Sequence, residues 1–519
     1  MAKSAQQDEK AANTATDIEQ TPTQQSGVAS EILKANKYDA DEALAAFEGH
    51  ENVVVDEATN KRLLRRIDRR ILPIMCVIYG MNFLDKTTLS YASIMGLRED
   101  ISLSGDNYQW LASLFYFGYL AWEWPTVRLL QRLPIAKYSG FCIIIWGTVL
   151  ALFAVVNDFA GAAVIRVLLG AFEAAVTPGW ALITSQYYRK EEQGSRTCIW
   201  FSFNGFAQIF GGLVAWGIAV GDQKHEHTIL PWQILFVFTG IFTVCLGIIF
   251  LWLVPDNQLK ARWLSESDRI LAVARVRGNQ QGIGNKHFKR YQFIEAFTDP
   301  MVWALVFYSF TANIPNGGIT NFFSQLIVSF GYTPVESLLL GTPAGAVQVV
   351  SLLLSGYYGD RTGSRLRISL IGLGIAILGV VLLIALPDSA GAGKLVGYYM
   401  TLACTTPFVA LLSLISSNIA GYTKKTTVAA LFLIFYCVGN IIGPQTFRPK
   451  DAPKYVPAIV TILVCWSLCF GDIVFIWWYC KRQNRKKAAI RAEPGYTKQE
   501  NSEWLDLTDR ENPEFTYTI

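Results

Sequence analysis

The segment WQILFVFTGIFTVCLGIIFLWLV, residues 232–254, decides the fold class of this chain. Its 23 consecutive residues contain no charged side chain. An α-helix rises about 1.5 Å per residue, so a run of this length crosses the roughly 30 Å hydrocarbon core of a bilayer. The sequence therefore predicts that this segment is a membrane-spanning helix.

Further apolar runs of spanning length lie on both sides of this segment. The chain of 519 residues is 52% hydrophobic and only 17% charged, which is too apolar for a single soluble core. We predict an all-α membrane protein with twelve transmembrane helices in two pseudo-symmetric six-helix bundles. The predicted spans are 71–92, 108–130, 138–156, 160–184, 197–220, 232–254, 300–323, 335–358, 367–386, 396–416, 426–447 and 456–480.

Composition and motif content exclude several classes of function. The net charge of +4 is small for this length and does not support a nucleic-acid partner. The nine cysteines lack metal-type spacing, so we expect no metal site. The sequence has no evident nucleophile–base pair or nucleotide-binding glycine loop. Its four histidines lie in predicted loops or tails, namely His50, His225, His227 and His287. We therefore predict a protein that is not an enzyme and needs no cofactor.

The basic residues indicate the orientation of the chain in the membrane. Clusters at 61–70 and 481–487 lie on the side that holds most of the Lys and Arg residues. Because cytoplasmic loops carry an excess of these residues, both termini are predicted to be cytoplasmic. Ser265 is predicted to cap a short helix, and the chain beyond 488 to be partly disordered. The predicted divisions are an N-terminal tail 1–60, bundles at 61–255 and 299–480, a central cytoplasmic loop 256–298 and a C-terminal tail 481–519.

Four charged residues stand out within the predicted spans, where an unpaired charge costs several kcal/mol. Asp85 and Lys86 are in the first span, and Arg166 and Glu173 are in the fourth. The last two are seven residues apart, so they share one helix face about 10 Å apart along the axis. The two spans run in opposite directions, so the four residues can line one polar cavity.

This group of charges has two interpretations. In the first, Lys86 and Arg166 attract a carboxylate substrate, and the two acids load and release protons. Burial favours the neutral form of such an acid, whereas a nearby cation favours its charged form. In the second, the four residues are internal ion pairs that only fix helix packing. Because charged residues inside spans are usually functional, the first interpretation is favoured.

Other polar residues in the spans are weaker candidates. The segment 315–318, with its proline and two glycines, predicts a broken seventh helix whose free backbone groups face a cavity. Residues that either bind a substrate or satisfy such local structure are Asn313, Asn316, Asn321, Tyr436, Asn440 and Gln445. Glu123 is predicted to snorkel or to pair with Arg128, and Asp472 has no predicted role.

One loop of the sequence resembles a motif of the major facilitator superfamily. Residues 356–365, GYYGDRTGSR, are similar to its G-x-x-x-D-R-x-G-x-R loop, in which the Asp holds one gate. The resemblance implies a major facilitator fold and gating roles for Asp360, Arg361 and Arg365. The corresponding loop after the second span keeps the basic residues but lacks the Asp and both glycines.

Two further segments resemble the anion:cation symporter family of that superfamily. Residues 85–89, DKTTL, are similar to its D-R-x-N-L, and residues 166–173, RVLLGAFE, match its R-x-x-x-G-x-x-E. The resemblance implies that Asp85 and Glu173 handle protons as the coupling ion, while Lys86 and Arg166 bind and gate the anion. The family's Arg is Lys86 here, and the seventh span offers only Asn where some relatives place a cation.

A closer resemblance is to the fungal allantoate permease branch. It is carried by NIPNGGI, AGYTKK, GPQTF, APKY and DLTDRENPEF, and it extends from about residue 60 to the end. It implies uptake, across the plasma membrane, of a small carboxylate such as allantoate or ureidosuccinate; nicotinate, pantothenate and a dipeptide are alternatives. We expect a monomer. A proton-driven exporter is disfavoured because the fifth span lacks a Gly-Pro pair, and a non-transporting sensor because both acids are present.

Overall fold

The computed structural model describes residues 55–224, 229–276, 288–493, 496 and 507–519, apart from the side chains of Gln131, Lys190 and Asp360. Helices dominate these residues, and no strand occurs among them. They fall into two compact units, one of residues 55–63 and 257–276 and the other of the remaining described residues.

The helices before the central loop cover the first six predicted spans. They are α1 (Glu57–Arg70), α2 (Leu72–Ser93), α3 (Leu97–Asp100), α4 (Asn107–Arg132), α5 (Ile135–Leu152), α6 (Phe159–Glu173), α7 (Val176–Tyr187), α8 (Lys190–Lys224) and α9 (Pro231–Leu253).

The remaining helices form the central loop and the second half. They are α10 (Glu266–Val276), α11 (Arg290–Thr298), α12 (Pro300–Ser329), α13 (Pro334–Leu340), α14 (Thr342–Thr362), α15 (Arg365–Ala385), α16 (Gly391–Thr401), α17 (Thr405–Asn418), α18 (Tyr422–Gln445) and α19 (Val456–Arg491).

Each of the twelve predicted spans falls on one helix or on two helices in succession. Within the described residues, nine of these segments are long and apolar enough to cross a membrane by length and composition. The other three are α2, α4 and α12, which hold many of the polar residues singled out above. The fold is therefore all-α and multi-pass, and the count of twelve crossings stays a prediction.

The smaller unit contains the helix predicted in the central loop. Ser265 Oγ accepts a hydrogen bond from the backbone N–H of Asp268 at 3.2 Å, which confirms the predicted cap of α10. Arg62 donates to Asp268 at 2.6 Å, and Arg275 donates to Asn60 at 2.6 Å. These contacts tie the helix to the chain that precedes the first span.

The prediction of a broken seventh helix is wrong, because α12 continues without interruption through Pro315. The glycines that follow it serve close packing instead. A methyl group on Gly317 would lie 2.7 Å from the carbonyl oxygen of Asn440, so the absence of a side chain lets α12 approach α18. Neighbouring helices thus stabilise a proline that would weaken an isolated helix.

The end of the tail is ordered, so the prediction of disorder beyond 488 is wrong for residues 507–519. Lys424 Nζ lies at 2.6 Å from Asp299, 2.7 Å from Asp509 and 2.9 Å from Glu295. Tyr517 donates its hydroxyl to Asp509 at 2.8 Å. A buried cation among three carboxylates therefore holds the tail against the second half of the protein.

Replacement of Lys424 by Met should destabilise the protein, because three carboxylates would then share a buried site without a cation. Loss of one partner from a buried ion pair costs about 3–5 kcal/mol. Thermal unfolding of the purified full chain in detergent measures the effect. Lys425→Met removes a neighbouring cation on the exposed side and is the matched control; equal melting temperatures for the two variants would contradict the assignment.

Candidate functional site

A buried ion pair joins the first and fourth spans. Lys86 Nζ contacts Glu173 Oε1 and also donates to Asn82 Oδ1 at 2.8 Å. The side chain of Glu173 is completely buried, whereas that of Lys86 keeps 14% of its surface exposed. Asn82 is one helical turn before Lys86, so both project from the same face of α2. The lysine is therefore the accessible member of the pair.

A second pair lies behind the first. Arg166 Nη1 is 3.9 Å from Asp85 Oδ1, and Trp146 Nε1 donates to Asp85 Oδ2 at 2.7 Å. The guanidinium also lies over the Phe153 ring, 5.8 Å from its centre. Both charged side chains are almost fully buried.

The two pairs form one network, since the side chains of Asp85 and Glu173 also interact with each other. Four buried polar atoms of this network make no hydrogen bond within the described structure: Asp85 Oδ1, Glu173 Oε2, Arg166 Nε and Arg166 Nη2. Buried polar groups without partners are costly and are expected only where a ligand, a proton or a rearrangement will use them.

Close helix packing fixes this network in place. A methyl group on Gly170 would overlap the carbonyl oxygen of Phe115, so this glycine lets α6 lie directly against α4. Gly170 is between Arg166 and Glu173 on α6, and the ring of Phe115 is 5.5 Å from Lys86 Nζ. The spacing R-x-x-x-G-x-x-E thus has a structural reason.

A cavity of about 140 Å³ lies beside the network, between helices of the two halves. Of the four charged residues, only Lys86 lines it. The shared vestibule expected from the sequence differs from this arrangement, because α2 places Asp85 on its opposite side and Glu173 behind Lys86. Three further predicted binding residues also line the cavity, namely Asn313, Asn316 and Tyr436.

Two predicted binding residues lie outside the cavity lining. Asn440 accepts a hydrogen bond from Asn316 at 2.9 Å and donates one to Asn313 at 3.3 Å, so it links α18 to α12. Asn321 donates to the carbonyl oxygen of Gly317 at 2.8 Å. These contacts support the alternative that both residues satisfy local structure.

Sequence reasoning missed several polar residues of the cavity wall. They include Tyr79, Asn82, Asn204, Thr320 and Gln348. Asn204 and Gln348 are more than 90% buried, and their side-chain oxygens have no hydrogen-bond partner within the described residues. The available signal was a single carboxamide inside an otherwise apolar span.

The three predicted gating residues lie at the junction of α14 and α15. The side chain of Asp360 is outside the described structure. Arg361 donates to Tyr357 at 3.1 Å, and Arg365 donates to Ser413 at 3.2 Å. Gly363 ends α14 with φ of 60°, a left-handed conformation that favours glycine and explains its place in the loop.

Two other acids inside spans also have buried atoms without a hydrogen-bond partner in the described residues, Glu123 Oε1 and Asp472 Oδ2. They lie outside the charged network, and the geometry assigns them no role.

The two halves are joined at the ends of the spans that are predicted to face outward. Tyr108 donates to the carbonyl oxygen of Asn321 at 2.7 Å, and Gln109 to that of Phe447 at 2.8 Å. Ser113 donates to the carbonyl oxygen of Ile441 at 2.7 Å. These bonds close the cavity on that side. Two helical halves around a polar cavity with buried charges define a membrane transporter.

Comparisons with known proteins agree with this class. The family model of the Major Facilitator Superfamily matches residues 75–444. The allantoate permease of Saccharomyces cerevisiae is 39% identical over 492 residues, which cover 92% of this chain and 90% of that protein. An uncharacterized transporter of Schizosaccharomyces pombe is 42% identical and covers 90% of this chain and 91% of its own length. The thiamine pathway transporter of S. cerevisiae is 33% identical, with 94% and 93% covered.

A solved structure shows the same fold. It is a bacterial homolog of the human lysosomal transporter Spinster in an inward-facing and occupied conformation, with a TM-score of 0.55 and 19% identity over 78% of this chain and 94% of that chain. The chain belongs to the Major Facilitator Superfamily, within its fungal allantoate permease branch. It is a secondary transporter and not an enzyme.

Replacement of Lys86 by Met should destabilise the protein by about 3–5 kcal/mol, because it leaves the Glu173 carboxylate buried and unpaired. The additional change Glu173→Gln should recover most of this loss. Thermal unfolding of the two single variants and the double variant completes the cycle. Additive effects of the two changes would contradict the ion pair.

Proposed function

We propose that this chain imports a small organic anion together with protons by alternating access, with an allantoate-like carboxylate as its substrate. The relative named allantoate permease supports this substrate class. Nicotinate, pantothenate and a dipeptide are the alternatives, and a relative with a thiamine pathway name shows how far the names diverge at 33% identity. We place the protein in the plasma membrane as a monomer, with both termini cytoplasmic.

The observation that carries the proposal is the ion pair of Lys86 with Glu173 at the cavity wall. Lys86 is the one charged member of the network that lines the cavity, so an incoming carboxylate reaches its ammonium group first. The substrate then competes with Glu173 for the same cation. Charge-assisted hydrogen bonds of this kind are about twice as strong as neutral ones, so the exchange costs little.

Charge balance explains why a proton would accompany the substrate. Two cations and two carboxylates in the empty network sum to zero. A bound carboxylate adds one negative charge at membrane depth, which is costly unless a proton neutralises an acid. Glu173 is the first candidate, because it loses Lys86 and has one oxygen, Oε2, already without a hydrogen bond in the described structure.

Asp85 and Arg166 would connect this event to helix movement. The Nε and Nη2 groups of Arg166 are donors without acceptors in the described residues, and the contact with Asp85 is long at 3.9 Å. A shift of α6 could turn these donors toward the bound carboxylate and release Asp85 as a second proton acceptor. Opening would then occur at the loop that contains Asp360, Arg361 and Arg365, while the bonds at the outward end stay closed.

Purified protein in vesicles tests the proposal. Wild-type protein should accumulate labelled allantoate, with pH 5 outside and pH 7.5 inside, and lose the accumulation when the two sides have equal pH. Glu173→Gln should keep binding and exchange but lose accumulation, since Gln cannot release a proton. Glu123→Gln removes a buried acid outside the network and should accumulate normally; unchanged accumulation in Glu173→Gln would exclude this acid from coupling.

Arg166→Ala should raise the concentration needed for half-maximal uptake by tenfold or more, because the network then lacks one of its two cations. Competition by allantoate, ureidosuccinate, nicotinate and pantothenate at pH 5 ranks the substrates in the same assay. Arg448→Ala, a cation on the predicted outer side, is the control. Wild-type affinity in Arg166→Ala would remove this residue from anion binding.

A further inference from the structure

The last helix continues beyond its predicted span and carries a face of aromatic and basic residues. α19 extends to Arg491, whereas the predicted span ends at residue 480. Six residues line a groove of about 510 Å³ on this extension and are called the basic face: Trp477, Trp478, Lys481, Arg482, Arg485 and Lys486. Residues four apart lie above one another on a helix, so the face consists of two parallel rows, each with one tryptophan followed by two cations.

The order of side chains along these rows suits a membrane–water interface. Tryptophan is enriched at the level of lipid headgroups, where its ring is apolar and its N–H is wet. Lys481 Nζ lies 3.8 Å from the centre of the Trp477 ring, and the Arg482 guanidinium lies 5.2 Å from that of Trp478. Cation–π attraction of this kind holds both cations at the start of the rows. Arg485 and Lys486 follow about 6 Å farther along the axis.

The four cations of the basic face have no carboxylate partner among the residues that the structure describes. Other cations of the same helix end are used internally. Arg491 is 3.9 Å from Glu514, and Lys487 donates to the carbonyl oxygens of Asp509 and Asn512. The basic face is therefore a concentration of positive charge that the protein leaves available.

The C-terminal tail holds the opposite side of the extension. Asn484 donates to the carbonyl oxygen of Tyr517 at 2.9 Å and accepts from its N–H at 2.8 Å. Asn418 makes the same pair of bonds with Thr518, each at 2.8 Å. The helix end is thus fixed in orientation, and a surface fixed before binding loses less entropy when it takes a ligand.

We propose that the basic face binds the headgroup of an anionic phospholipid, with phosphatidylserine as the representative ligand. Juxtamembrane clusters of Lys and Arg attract the negative inner leaflet of a membrane. Arg482 and Arg485 can each hold a phosphate through two parallel hydrogen bonds, while the tryptophans contact the glycerol and the first acyl carbons. The continuity with the spanning part of α19 favours a lipid over a soluble phosphate, because the acyl chains extend along that helix.

Native mass spectrometry of the detergent-purified full chain tests this site with an equimolar mixture of dioleoyl phosphatidylserine and dioleoyl phosphatidylcholine. Wild-type protein should retain phosphatidylserine with about tenfold preference, since each cation near the surface contributes a factor of several. The triple variant Arg482→Gln, Arg485→Gln and Lys486→Gln should bind the two lipids nearly equally. The control triple Arg448→Gln, Lys450→Gln and Lys454→Gln removes the same charge elsewhere and should keep the wild-type preference.

Other outcomes overturn the site. Equal retention of the two lipids by wild-type protein, an unchanged preference in the first triple variant, or an equal loss in both triples would each do so. Displacement of the lipid by glycerophosphoserine at equal concentration would show a soluble-phosphate site instead. If the first triple does not fold, the wild-type preference in 0.5 M salt decides, because screening should abolish it.

Discussion

A charge inside a membrane must be neutralised by a partner, and this constraint organises the first half of the protein. Asp85, Lys86, Arg166 and Glu173 lie in two spans, and their side chains form one network of two ion pairs. The close contact of α6 with α4 at Gly170 sets the distance between these spans. Trp146 supplies a further hydrogen bond to Asp85 and so fixes the innermost carboxylate.

The position of the network relative to the cavity follows from the direction of each side chain. Lys86 reaches the cavity, while its acidic partner stays behind it. A cation that is bound on one side and accessible on the other is suited to exchange one carboxylate for another. The carboxamides of Asn204 and Gln348 extend the polar wall, and their buried oxygens offer acceptors for a substrate with N–H groups. The remaining lining is aromatic or aliphatic, which keeps the cavity small and excludes water from the charges.

The second half satisfies the same constraint in a different way. Lys424 is enclosed by Glu295, Asp299 and Asp509, and the last of these belongs to the tail. The tail thus closes a charge site instead of a transport site, and its other contacts hold the end of α19. One side of that helix end is consumed by these contacts, and the other remains positive. The two halves therefore share helix topology but use their buried charges for different purposes.

The sequence by itself determined the class, the positions of the spans and the four charged residues, because lipid demands long apolar runs and makes every exception visible. It also determined the cap at Ser265, which depends on neighbouring residues alone. Only the tertiary structure decided which cation meets which acid, that Lys86 lines the cavity and Arg166 does not, and that α12 is unbroken at Pro315. The same holds for Asn440, Asn204, Gln348 and the docked tail. These features depend on contacts between residues about one hundred or more positions apart, and the period of a single helix carries no information about the helix it will pack against.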